Sequence, residues 1–153
     1  MPSGYGIKDG VDGQLPWSWA EEQLGRGRNY WICTTRADGR PHAMPVWGVW
    51  VDDALLFSSD PESLKGRNIA ARPGAVVHLE SGDDVVVLEG QITTMDQERL
   101  EAFVDAYDAK YNHRVDVTNA AFGLYQLVPD RVLAWRETDF PTSATRFRRT
   151  LPG

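Results

Sequence analysis

The stretch Arg36 to Trp50, RADGRPHAMPVWGVW, limits what this chain can fold into more than any other. It opens like a hairpin and continues like a strand. Yet it carries His42, Pro45, Trp47, Gly48 and Trp50 where a core strand usually carries Val and Ile. Proline gives a sheet no N–H, so a strand with Pro45 in its middle belongs at an edge or at a barrel opening. The expectation is a β-rich fold in which one strand lies against something other than a strand.

The rest of the chain supports a sheet. From Asn29 the pattern has period two, with Tyr30, Ile32 and Thr34 on one side and Trp31, Cys33 and Thr35 on the other. Asp38-Gly39 predicts a type I′ hairpin turn, with positive φ at both residues. The next strand runs to about Val51, and Asp52-Asp53 makes the following turn. Further strands are expected at Ala54–Ser59, 75–81 and 85–94, with Gly90 as a bulge, and within 124–135. Helices are predicted over 18–28, capped by Ser18 with Glu21 and Glu22 in the first turn, and from an Asp60 cap and Pro61 to before Pro73. A third spans 97–112, where Leu100, Phe103, Val104, Tyr107 and Tyr111 form one apolar stripe. Together these predict a mainly β, α+β chain: an antiparallel barrel with two to three short helices. Residues 1–153 form one domain, with a helical segment at 1–28, the barrel at 29–136 and an arm at 137–153.

Composition narrows the partners. The 22 acidic against 16 basic residues give a net charge of −6, which argues against general nucleic-acid binding because neutralising phosphates needs a basic surface. No apolar run reaches the roughly 18 residues of a membrane span. The N-terminus shows no basic segment followed by an apolar one, so the expected location is the cytoplasm. Cys33 is the only cysteine and sits in an apolar strand, where a buried, inert thiol is expected. His42, His78 and His113 lack zinc-site spacing, so no metal is expected.

The segment DPESLKGRNIAARP places Ser63, Lys65, Arg67 and Asn68 in the first turns of a helix. A helix N-terminus presents unpaired N–H groups and positive partial charge, and added cations there suit a phosphate. Ser58 and Ser59, at the end of the preceding strand, add two hydroxyls. On these residues alone a solvated helix face is the simpler reading. Glu80 and Glu89 read more simply as exposed strand carboxylates than as an acid–base pair. No P-loop or nucleophile elbow is present, so any catalysis is expected to come from a cofactor.

Taken in order, TTRADGRPHAMPVWGVW, LLFSSDPESLKGRNIAARPGAVVHLES and VVVLEG resemble the pyridoxamine-phosphate-oxidase-like split β-barrel superfamily, across about residues 29 to 92. RPHAMPVWGVW and KGRN are more similar to its actinobacterial flavin/deazaflavin oxidoreductase branch. The resemblance implies a homodimer of split barrels with cofactor sites at the dimer interface. It implies that Met44, Pro45, Val46 and Trp47 lie along the ring, and that Ser58, Ser59, Ser63, Lys65, Arg67 and Asn68 hold the phosphate. The sequence departs from the pyridoxamine phosphate oxidases at Trp47, typically lysine there, and lacks their basic residues near the C-terminus. Coenzyme F420 is the implied cofactor and FMN the alternative. Arg36, Arg40, His42 and Arg67 are candidates for the additional anionic groups of F420, and Arg36 and His42 for a proton donor. The implied function is F420-dependent hydride transfer to a planar or unsaturated organic substrate. The rivals are an FMN-dependent reductase or oxidase and a non-catalytic cofactor-binding protein.

Overall fold

Residues 41–51 do lie at a sheet edge, and they form two strands. In the computed structural model, which describes residues 15–148, β1 (Asn29–Thr35) pairs antiparallel with β2 (Pro41–Trp47), and β3 (Val49–Val51) pairs with β4 (Ala54–Ser59). The remaining strands are β5 (Gly74–Leu79), β6 (Asp84–Thr94), β7 (Gly123–Arg136) and β8 (Thr145–Arg148). The sheet order is β2-β1-β5-β6-β7-β4-β3, with β8 pairing β7. The two edge strands are therefore consecutive in sequence and joined only by Gly48. The sheet curls until one bent segment serves both edges, an α+β split barrel. At Pro45 the missing N–H costs no ladder bond with a second neighbour, because β2 pairs only with β1.

Side-chain alternation continues through the bend. Val46 and Trp50 pack on the barrel core, whose centre includes Tyr30, Ile32, Leu55, Phe57, Val77 and Leu88. Val49 and Val51 belong to a second cluster with Phe103 and Val104. That cluster is sealed by α3 (Gln97–Tyr111), whose Leu100, Tyr107 and Tyr111 pack against it as the stripe predicts. Each fully buried side chain of this kind stabilises the fold by roughly 1.5–3 kcal/mol. Gly90 sits at the expected bulge, where the β6–β7 register shifts between Glu89 and Gly90.

Local chemistry corrects four expectations. The type I′ geometry is at Asp52 and Asp53, with φ of 51° and 56°, whereas at the first hairpin only Gly39 has positive φ (86°). There Gly39 N–H donates to Arg36 O and Arg36 N–H to Arg40 O, both at 2.9 Å. This is the wider loop in which one left-handed glycine follows an ordinary turn. The first helix, α1 (Trp17–Arg26), starts at Pro16 rather than Ser18, with no side-chain cap and no acidic residue in its first turn. Pro16, in extended conformation, provides the first carbonyl, accepting Trp19 N–H at 3.0 Å. The second helix, α2 (Leu64–Ala71), is capped by Ser63, not Asp60. Asp60 instead turns the chain, its carboxylate accepting Glu62 N–H at 2.8 Å. Lastly, Cys33 is only half-buried, on the outward face of β1, although its thiol pKa is raised by burial.

After β7 a 3-10 turn (Glu137–Asp139) and the short α4 (Phe140–Ser143) lead into β8. The expected arm is thus partly a strand, and its end at residues 149–153, like the N-terminal pattern at 1–14, lies outside the described residues. No helix among the described residues is long and apolar enough to cross a membrane.

Candidate functional site

The barrel is split where its two edges part. β3 pairs with β4 only from Ala54 to Leu56. Beyond that point Phe57, Ser58 and Ser59 keep β7 on one side and have no ladder partner on the other, because β2 has left to pair with β1. The wedge between β2 and the end of β4 is followed at once by the Asp60–Ser63 turn and α2. That helix is fastened to β1: Asn68 Nδ2 donates to the buried Thr34 Oγ1 at 3.1 Å, and Arg72 Nε to Thr35 O at 3.0 Å. Thr34 is the β1 partner of His42, so α2 is fastened to β1 beside the start of β2.

Gly66 explains the KGRN sequence. A Cβ there would lie 2.5 Å from Pro61 O and 2.6 Å from Asp60 O, so only glycine lets the first turn of α2 fold onto the turn before it. Ser63 Oγ accepts Gly66 N–H at 3.0 Å and donates to Asp60 O at 2.7 Å.

Around the wedge the polar groups are unsatisfied. Arg36 Nε, His42 Nδ1 and Ser58 Oγ are each shielded from solvent without a hydrogen-bond partner, and among the described residues only Arg99 Nε shares that condition. An orphaned buried polar group costs about 1–3 kcal/mol, so three in one region represent a large cost unless something else satisfies them. Lys65 has no hydrogen-bond or ion-pair partner among the described residues, and burial lowers its pKa. His42 is also lowered, first by burial and then by the charges of Arg36 and Lys65. Arg36 and Lys65 are therefore both near enough to His42 to disfavour its protonation.

The remaining sequence candidates are dispersed. Asn68, 2% exposed, is committed to Thr34, and Ser63 to its cap. Ser59 is half-buried beside Ser58, and Arg67 is exposed on α2. Arg40 is paired with Asp38 at 2.8 Å. On β2, Met44 shares the inward face with His42 and Val46 but is 47% exposed, because the wedge leaves it uncovered. Pro45 and Trp47 alternate to the outward face, and Trp47 stacks on Tyr111 of α3 at 4.6 Å and 2°.

Sequence reasoning treated α3 as merely structural and missed its polar edge. Gly48 N–H donates to Tyr111 Oη at 3.0 Å, and Gly48 O accepts from Lys110 Nζ at 2.9 Å. Lys110 Nζ also donates to Tyr30 Oη at 2.8 Å. Burial, aided by the charge of Arg28, pushes the Lys110 pKa down to about 8. The available signal was a lysine adjoining two stripe tyrosines, but sequence does not show which strand residue such a helix edge meets.

The sheet order and its curled edges define an antiparallel split barrel, with a half-buried lysine in the first turn of the helix at its opening. The chain belongs to the pyridoxamine 5'-phosphate oxidase family, whose model matches residues 20–139, an oxidoreductase-like family. Among solved structures it is similar to an F420 reductase (21% identity, 73% of this chain and 94% of that one, TM-score 0.59). It is also similar to a conserved hypothetical protein from Mycobacterium tuberculosis (17% identity, 96% and 98%, TM-score 0.72). A third likeness is to a heme binding protein from Mycobacterium smegmatis (18% identity, 84% and 58%, TM-score 0.62). These likenesses are of fold. No curated protein matches the sequence significantly.

Proposed function

We propose that this protein is a cytoplasmic, F420-dependent oxidoreductase acting on a planar or unsaturated organic substrate. One observation carries the reading: three of the four orphaned buried polar atoms, together with an unpartnered Lys65, surround the barrel opening. These groups fit the phosphate-bearing end of a flavin or deazaflavin, since each is a donor or a hydroxyl and none is a carboxylate. Lys65 and Ser58 would hold a phosphate, with Ser59 and the first turn of α2 behind them. Arg36 and Arg67, without ion-pair partners among the described residues, supply charge beyond what a single phosphate needs, which favours F420 over FMN. Met44 and the open edge of β2 would face the ring.

Reduced F420, when bound, supplies the hydride. The chain's own residues bind, orient and supply N–H groups: Arg36 supplies its guanidinium, and His42, its pKa held low by burial and then by Arg36 and Lys65, an imidazole that resists protonation. Both would stabilise negative charge developing on the substrate. A homodimer belongs to the same reading: Trp31, Val76, Val87 and Leu133 share the outward face of the sheet, and all are only half-buried. Sedimentation measures the assembly.

Titrations with F420 and with FMN, followed by tryptophan quenching, test the proposal. F420 binding below about 100 μM with oxidation of bound F420H2 by an enone or quinone supports it. Tight FMN binding instead gives the FMN-dependent reading. Binding of F420 without hydride transfer gives a carrier, and binding of neither cofactor overturns the proposal.

A further inference from the structure

Gly48 is where one strand becomes two, and a peptide group at such a break loses its ladder partners. Here side chains of α3 replace them. The Tyr111 hydroxyl accepts Gly48 N–H at 3.0 Å and lies 2.8 Å from Gly48 O and 2.7 Å from Arg28 O, so its single proton serves one of the two carbonyls. Lys110 Nζ covers Gly48 O at 2.9 Å and ties it to Tyr30 Oη, which itself donates to Leu24 O. The bend also favours glycine, since a Cβ would lie 3.0 Å from Leu56 O and 3.3 Å from Tyr30 Cδ2, and these neighbours would have to give way.

We propose that Lys110 and Tyr111 are positioning residues that clamp the Gly48 peptide and so fix the angle at which β2 presents its open edge to the cofactor ring. The inference rests on the functional reading above, but it concerns residues that this reading does not use. Burying an ammonium in the barrel wall carries a desolvation cost, and its lowered pKa reflects that cost. The groups facing it are Tyr30 from β1, Arg28 just before β1, and Tyr111 on its own helix; none is a carboxylate. An apolar residue would fill this wall at less cost, and what the lysine adds is a hold on one carbonyl. The clamp and the proposed phosphate site lie towards opposite ends of residues 41–51. Lys110 and Tyr111 belong to the α3 side, Lys65 to the α2 side.

That separation makes the test specific. Tyr111→Phe keeps the ring that stacks on Trp47 and removes only the hydroxyl. Lys110→Met keeps the packing and removes the ammonium. In each folded variant, F420 binding (FMN, if that is what the wild type takes) is expected to weaken about tenfold, a moderate loss on the affinity scale. Competition by inorganic phosphate is expected to change by less than about twofold. Exchange of the Gly48 amide with solvent, read by NMR, is expected to accelerate in Tyr111→Phe. The double variant is expected to lose less than the product of the two single losses, because both residues act on one peptide.

Unchanged ring affinity with unchanged Gly48 exchange overturns the clamp, and so does an equal loss for ring and phosphate, which marks general loosening. A wild type that binds neither cofactor overturns the functional reading instead. In that case the amide exchange alone decides whether Gly48 is clamped.

Discussion

The two halves of residues 41–51 meet two helices under opposite conditions. Towards Val51, α3 completes the strand: Lys110 and Tyr111 satisfy both polar groups of Gly48, and Trp47 is stacked on one face. Towards Pro41, α2 leaves it incomplete: among the described residues His42 Nδ1, Arg36 Nε and Ser58 Oγ have no hydrogen-bond partner, and Lys65 has none either. The same strand shows that side chains of this chain can satisfy the polar groups of a broken ladder. Unsatisfied groups at the α2 end are therefore informative, because a fold that tolerates about 1–3 kcal/mol per orphan is compensated when a ligand takes them up.

Gly66→Ala should have the largest effect and breaks the α2 end outright. Its Cβ would meet two backbone carbonyl oxygens within 2.6 Å, and backbone yields far less readily than a side chain. Overpacking of this kind costs about 3 kcal/mol, read as a lower urea midpoint with an unchanged slope. Sulfate or phosphate binding should disappear with it. A stable Gly66→Ala that still binds would mean the cradle is not rigid.

Lys65→Ala separates binding from folding. An exposed or poorly partnered charge contributes little stability, so the unfolding midpoint should move by less than about 0.5 kcal/mol. Affinity for the phosphate-bearing cofactor should fall about thirtyfold, the size expected for a charge-assisted hydrogen bond. Ser58→Ala inverts the usual sign: removing an orphaned hydroxyl should raise stability in the ligand-free protein by about 1 kcal/mol while weakening cofactor binding. If Ser58→Ala destabilises instead, the hydroxyl has a structural partner and the contrast between the two helices shrinks.

Much of this was legible in advance because it depends on local rules. The apolar run between the Asp52-Asp53 turn and Asp60-Pro61 located β4 to the residue, the bulge at Gly90 followed from a glycine inside a strand, and Pro45 marked an edge. The turn types were not, since Asp38-Gly39 and Asp52-Asp53 both permit positive φ, and the number of residues between paired strands decides which does. The candidate site was legible as a cationic helix start preceded by two serines. What sequence could not give was the division of labour: that Ser63 is used up as a cap, that Asn68 is anchored to Thr34, and that alternation turns Trp47 away from Met44 towards α3. Those outcomes depend on which groups reach a partner first in three dimensions.

The smallest effect, and the finest probe of the contrast, is the pH dependence at His42. Its folded pKa lies below the ordinary value near 6.5, so on acidification the unfolded chain takes up the proton first. This contribution to stability is therefore fully present above about pH 6.5. It is lost as pH falls through the folded pKa. A bound dianion acts in the opposite sense: it offsets the repulsion from Arg36 and Lys65, raises the His42 pKa, and is itself held more tightly once His42 is charged. Sulfate, which does not titrate in this range, should therefore stabilise the wild type more at about pH 5.5 than at about pH 7.5. In His42→Gln the pH dependence of that stabilisation should largely vanish. Thermal unfolding at the two pH values, with and without sulfate, measures all four quantities. Equal stabilisation at both pH values in the wild type would place the anion away from His42, and the α2 end of the strand would then owe its orphaned groups to something other than a ligand.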